Sequence, residues 1–180
     1  DVMLIITDIN GCADSIVKTV RADSLSTIFV NPGDTSLCLG TSVSYTVAGN
    51  FDNVRWTPGA WLSNPNSANV VITPQANISY VVSAVNGVCD AASDTVRVRV
   101  IQPIPLEVDA TPDRIVLGLT SNITSYVPGR IDSIVWSPDN TLDCRDCPNP
   151  IATPAQTTTY TATIYYGENG TICTNSAQVT

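Results

Sequence analysis

One pattern, used three times, restricts this chain more than any other: an apolar-alternating strand, an Asn-Gly pair, a cysteine, and a returning strand. Its fullest copy is Tyr80 to Val100, with Asn86-Gly87 at the turn and Cys89 two residues later. Val, Ile, Tyr and Thr suit a pleated, half-buried surface, and Asn-Gly supplies the positive φ angles of a tight hairpin. Met3 to Ala22 repeats the design around Asn10-Gly11 and Cys12, and Tyr160 to Thr180 repeats it around Asn169-Gly170 and Cys173. Three copies of one hairpin predict a repeat array.

The intervals between landmarks agree with this. Trp56 and Pro74 are spaced as Trp136 and Pro154 are, and Pro74 precedes Tyr80 by the interval that separates Pro154 from Tyr160. Gly40 matches Gly118, Pro58 matches Pro138, and Leu62 matches Leu142. Within the better-marked copy, Ser26 to Asn31 reads as a strand ended by Asn31-Pro32-Gly33-Asp34. Thr41 to Ala48 places Val43, Tyr45 and Val47 on one face, Asp52 to Thr57 carries Val54 and Trp56, and Asn69 to Thr73 closes on Pro74. No segment has helical periodicity with caps. The fold class is therefore all-β: tandem immunoglobulin-like antiparallel sandwiches arranged end to end. The domains are 1–23, the closing hairpin of an incomplete preceding repeat, then 24–101 and 102–180, each an immunoglobulin-like repeat. The joints Arg21-Ala22-Asp23-Ser24 and Gln102-Pro103-Ile104-Pro105 are short, which predicts a semi-rigid rod. Opening inside a strand, the chain reads as a mature fragment or an excised segment.

Composition narrows the partners. Net charge is −8 and Lys18 is the single lysine, so the clustered cations that hold phosphates are missing. Nucleic acid is excluded as a partner on that ground, and anionic membrane surfaces are disfavoured. No apolar run approaches the ~20 residues of a membrane span, so no membrane insertion is expected. Six cysteines in units of ~75–80 residues fit an oxidising, extracellular compartment, where small cores need staples.

Cys38 and Cys89 are the two cysteines of the middle unit, and a disulfide between them is the default pairing. Cys144-Arg145-Asp146-Cys147 closes locally and leaves Cys173 odd, unless Cys173 takes one of the two; Cys12 has no partner within its own fragment. A zinc site would need four ligands, and the chain has no histidine and no second Cys-x-x-Cys. Asp139, Asp143 and Asp146 share one loop without the twelve-residue calcium pattern, so calcium is a minor alternative to a solvated acidic loop and no cofactor is expected. No catalytic residue is assigned, because histidine is absent and Glu107 and Glu168 suggest no carboxylate pair. Trp56, Trp136, Tyr80 and Tyr160 read as core. Trp61 lies in an irregular loop, where it either caps the core or offers a flat face to a sugar or protein.

Cys38-Leu39-Gly40, Trp56-Thr57-Pro58 or Trp136-Ser137-Pro138, Leu142 to Pro150, Ala152-Thr153-Pro154, Thr157 to Tyr160 and the closing Asn-Gly turn form a familiar series. It resembles the PKD-like and immunoglobulin-like repeats of large Bacteroidota surface proteins, including gliding-motility-type adhesins and type IX secretion cargo. The resemblance covers nearly the whole chain, with two departures: Val116 stands where the other copy has Cys38, and Trp61 replaces a small or polar residue. It implies export to the cell surface and a structural or adhesive duty. The expected partners are neighbouring repeats of the same or an identical chain, and surface glycan or another cell-surface protein. Asp14-Ser15, Asp23-Ser24, Asp94-Thr95 and Asp132-Ser133, each followed by an apolar residue, resemble the Bacteroidota O-glycosylation acceptor, so Ser15, Ser24, Thr95 and Ser133 are candidate attachment points. The alternatives are a carbohydrate-binding module built on Trp61 and a filament subunit that donates its N-terminal hairpin to a neighbour.

Overall fold

A computed structural model describes the backbone of residues 1–20, 27–86 and 89–180, and the side chains of these residues apart from 89–91. Among the described residues the structure is all-β, with no helix. The joint at 21–26, the Ser24 acceptor and Gly87 of the central hairpin lie outside the described residues.

The first two strands, β1 (Val2–Thr7) and β2 (Ala13–Lys18), form an antiparallel ribbon with Val2 opposite Lys18 and Thr7 opposite Ala13. Gly11 takes a positive φ at its turn, and the Asp8 N–H donates to the Cys12 carbonyl. No third strand joins this ribbon among the described residues, and both of its faces are exposed.

A first sandwich follows. One sheet contains β3 (Thr27–Asn31), β5 (Val43–Asn50) and β7 (Asn69–Ile72). The other runs β4 (Thr35–Cys38), β9 (Cys89–Ile101), β8 (Ile78–Asn86), β6 (Asn53–Thr57). Period-two alternation aims Tyr45 and Val47, Val54 and Trp56, Val70 and Ile72, and Tyr80, Val82 and Ala84 at one core. Trp56 meets Tyr45 and Tyr80 edge-on at centroid distances of 5.9 and 6.1 Å, contacts worth about 0.5–1.5 kcal/mol each beyond the area they bury. Its indole N–H donates to the Ser67 carbonyl at 3.1 Å. The strand pairing β4–β9 is parallel, with Thr35 opposite Val98 and Cys38 opposite Ile101. Asp34 fastens its start by accepting the Arg97 backbone N–H at 2.8 Å. That bond and the Arg97 guanidinium hold the Asp34 carboxyl below its usual range.

The second sandwich sets β10 (Glu107–Thr111), β11 (Ser121–Tyr126) and β13 (Ile151–Ala152) against β12 (Ser133–Ser137), β14 (Tyr160–Glu168) and β15 (Thr171–Val179). Ile123, Trp136, Tyr160, Ala162 and Ile164 form its core. The Trp136 indole donates to the Cys147 carbonyl at 2.9 Å, the counterpart of the Trp56 bond. Asn169 and Gly170 both have positive φ, the geometry that the Asn-Gly hairpin pattern predicts.

The middle-unit pairing expected for Cys38 is not the one observed. Cys38 is bonded to Cys173, a Cα–Cα distance of 5.7 Å. Register explains why Cys89 is out of reach. Cys38 lies opposite Ile101, at the far end of the strand that Cys89 begins. Twelve residues of strand separate those ends by roughly 40 Å, whereas a disulfide spans Cα atoms about 4.4–6.8 Å apart. Cys144 and Cys147 are bonded to each other, and Cys12 is free and exposed.

Candidate functional site

The contact between the sandwiches brings a disulfide, an ion pair and hydrogen bonds together among the described residues. The tip of the β14–β15 hairpin reaches the end of β4. Besides the Cys38–Cys173 bond, the Thr171 hydroxyl donates to the Ser36 carbonyl at 2.9 Å, and the Arg99 guanidinium pairs with the Glu168 carboxylate. Ile101, Ile104 and Leu106 of the joint pack against the second core, and the Asn175 amide donates to the Ile104 carbonyl at 2.9 Å. A cleft of 290 Å³ remains there, bordered by Arg99, Arg130 and Glu168. Cys173 is buried. A covalent bond, an ion pair and hydrogen bonds thus tie together two units whose strands β9 and β10 are joined by five residues of chain.

Sequence reasoning missed Ser36, Arg99, Glu168 and Thr171 because nothing local marks an inter-unit contact. The available signal was Cys173 itself, an odd cysteine matched to a unit whose own Cys38 position holds Val116.

Trp61 is 40% exposed and has a φ of 58°. Its carbonyl accepts the Thr73 N–H at 3.1 Å, and Thr141 does the same for Thr153 at 2.8 Å in the other unit. The backbone role is shared by the two units, but the indole is particular to the first. A bulky residue held at positive φ is an outlier, and such outliers concentrate at functional positions.

Ser15, Thr95 and Ser133 are all exposed on strands. The Ser15 and Thr95 backbone N–H groups donate to the carboxylates of Asp14 and Asp94 at 2.8 and 2.7 Å.

The acidic loop has internal employment. Asp139 pairs with Arg145 at 3.7 Å, and Asp143 accepts the Ile151 N–H at 2.7 Å. Asp143 lies near the sulfurs of Cys144 and Cys147, but those sulfurs are bonded together and offer no thiolate to a metal.

No protein-family model matches the chain, and no curated protein matches it. Solved structures do. The N-terminal eight immunoglobulin domains of Down Syndrome Cell Adhesion Molecule superimpose with a TM-score of 0.54 at 13% identity, covering 99% of this chain and 34% of that one. The C-terminal 282-residue fragment of intimin, solved in complex with the intimin-binding domain of its translocated receptor, gives 0.51 at 14% identity, covering 87% and 64%. The chain therefore spans about a third of the first structure and under two thirds of the second. At these identities the likeness establishes the fold: immunoglobulin-like β-sandwiches.

Proposed function

We propose that this chain is a structural and adhesive segment of a large exported surface protein, a semi-rigid stalk that projects or joins adhesive units. Its repeats are 24–101 and 102–180, with 1–23 as the closing hairpin of a preceding unit, and its family is the PKD-like repeats of Bacteroidota surface proteins. The observation that carries the reading is the lock between the sandwiches. Units that only needed tethering would not require a disulfide, an ion pair and packed isoleucines at the joint. A free joint would let the units reorient, which is the default for small inter-domain contacts. A cell-surface partner fits the company that the fold keeps, since intimin was solved bound to a receptor domain. Small-angle scattering of the 180-residue chain tests this: one extended, rigid particle is expected, and a compact or broadly flexible one overturns it.

A second reading rests on the ribbon β1–β2, whose Val2 to Ile6 run is exposed on both faces. The ribbon then completes a sheet in a neighbouring subunit. Sedimentation of the chain against an Ile5→Lys variant decides it: concentration-dependent assembly that the lysine abolishes is required.

A further inference from the structure

The 290 Å³ cleft at the joint takes its walls from both sandwiches. Asn77 and Arg99 come from the first, Gln102 from the connecting chain, and Arg130, Tyr166 and Glu168 from the second. Local contacts fix these positions. Asn77 stands one residue before β8, and its side-chain carbonyl accepts the Val100 N–H at 2.7 Å, holding that turn against the end of β9. A Cβ on Gly129 would come within 3.2 Å of the Ile104 side chain, tighter than an ordinary contact. The bare glycine therefore lets the loop after β11 close on the joint, which sets its neighbour Arg130 at the cleft. Arg99 of β9 reaches across the boundary to Glu168 at the end of β14. With the Cys38–Cys173 bond beside it, the site stands on paired strands and a covalent joint, which is how a binding geometry is held in advance.

The cleft is rich in hydrogen-bonding groups that the chain itself leaves unused. Two guanidinium groups border it against one carboxylate, in a chain whose net charge is −8. That carboxylate, Glu168, is engaged by Arg99. Arg130 has no ion pair, and its guanidinium, the Gln102 amide and the Tyr166 hydroxyl make no hydrogen bond among the described residues. Tyr166 is only 4% exposed. Yet among the described residues no buried side-chain polar atom lacks a partner, so this hydroxyl must open to solvent, and the cleft is the opening that Tyr166 borders.

We infer that the cleft binds a carboxylated sugar, one acidic residue of a surface glycan, with its carboxylate on Arg130 and its ring hydroxyls on Gln102 and Tyr166. A guanidinium recognises a carboxylate through two parallel N–H···O bonds. An amide and a phenol each donate and accept, as the vicinal hydroxyls of a sugar ring do, whereas an isolated carboxylate would leave them idle. The volume lies at the small end of ligand pockets, which run about 300–1,000 Å³, and so suits one monosaccharide. Glu168 supplies selectivity: it neutralises Arg99 and repels a second negative charge, which disfavours phosphate. Because both sandwiches contribute groups, the ligand also bridges the joint that the disulfide holds.

Titration of the 180-residue chain with glucuronate, galacturonate and N-acetylneuraminate tests this. Saturable binding of at least one acid is expected, with nuclear magnetic resonance shifts centred on Arg99, Gln102, Arg130 and Tyr166. Glucose lacks the carboxylate and acetate lacks the ring, so each should bind about tenfold more weakly or worse. Arg130→Gln should weaken the acid about tenfold while leaving the melting temperature unchanged. Tyr166→Phe should weaken it less, and Glu168→Gln should tighten it by removing the opposing charge. No binding of any of the three acids, equal binding of glucose or acetate, tighter binding of phosphate, or an affinity indifferent to Arg130→Gln overturns the proposal. The stalk reading stands or falls separately. A rigid rod that binds no acid removes the site alone, and a compact particle that binds one supports the site and removes the stalk.

Discussion

Cys38 is bonded to Cys173 across 135 positions, joining the end of β4 in one sandwich to the hairpin of the next. Cross-linking at that separation restricts the unfolded chain by on the order of 4–5 kcal/mol in the chain-entropy treatment. The Cys38→Ser/Cys173→Ser double variant should keep the first core, whose cluster includes neither cysteine, and weaken the second, whose cluster includes Cys173 with Cys38 packed against it. Scanning calorimetry is expected to resolve two separate transitions in the variant where the parent shows coupled unfolding. An unchanged single transition would mean that the joint is held without the bond.

Thiol chemistry checks the pairing directly. Native protein treated with a maleimide should be labelled at Cys12, which is free and exposed. Cys38, Cys144, Cys147 and Cys173 should be protected until reduction. Peptide mapping without reduction is expected to recover a Cys38–Cys173 cross-link, and a Cys38–Cys89 cross-link would refute the observed arrangement.

The three tryptophans should separate cleanly. Trp136→Ala removes a fully buried indole and leaves the Cys147 carbonyl without its donor, at a cost of about 3–5 kcal/mol. Trp61→Ala removes a half-exposed ring and should shift the urea midpoint little, because Thr73 is held by the Trp61 backbone carbonyl. If the carbohydrate-binding alternative is right, only Trp61→Ala loses glycan-array signal while stability is preserved.

Alkali should weaken the first sandwich. Burial pushes the Tyr80 phenol up to about 12, and its hydroxyl donates to the Ala60 carbonyl at 2.6 Å. Burial raises Tyr45 in the same direction. Below pH 10 both folded and unfolded chains hold these protons, so the contribution is fully present. Above about pH 10 the unfolded phenol ionises while the folded one does not, and stability falls until the folded value is passed. Urea midpoints at pH 9, 10 and 11 should decline, and Tyr80→Phe should flatten that decline.

Much of the architecture was legible because its causes are local. Alternation in Thr41–Ala48 and Tyr80–Val100 identified β5, β8 and β9, and Asn169-Gly170 adopted the turn its residues prefer. Trp56 and Trp136 occupy matching core positions with matching indole bonds. The strand β4 was missed: four residues after Asn31-Pro32-Gly33-Asp34 carry too little pattern, and its partner in β9 lies some sixty positions away. The candidate site at the joint was illegible for the same reason, since Ser36, Arg99, Glu168 and Thr171 acquire meaning only through one another.

What the sequence by itself determined is therefore the all-β class, most strands and turns of the first sandwich, and the residues that face its core. These follow from a side-chain period of two and from the φ preferences of Asn and Gly, which act over a few residues. Only the tertiary structure decided which cysteine meets Cys38 and how the two sandwiches are locked. Those outcomes depend on register between distant strands, where shifting by a residue redirects every contact beyond it.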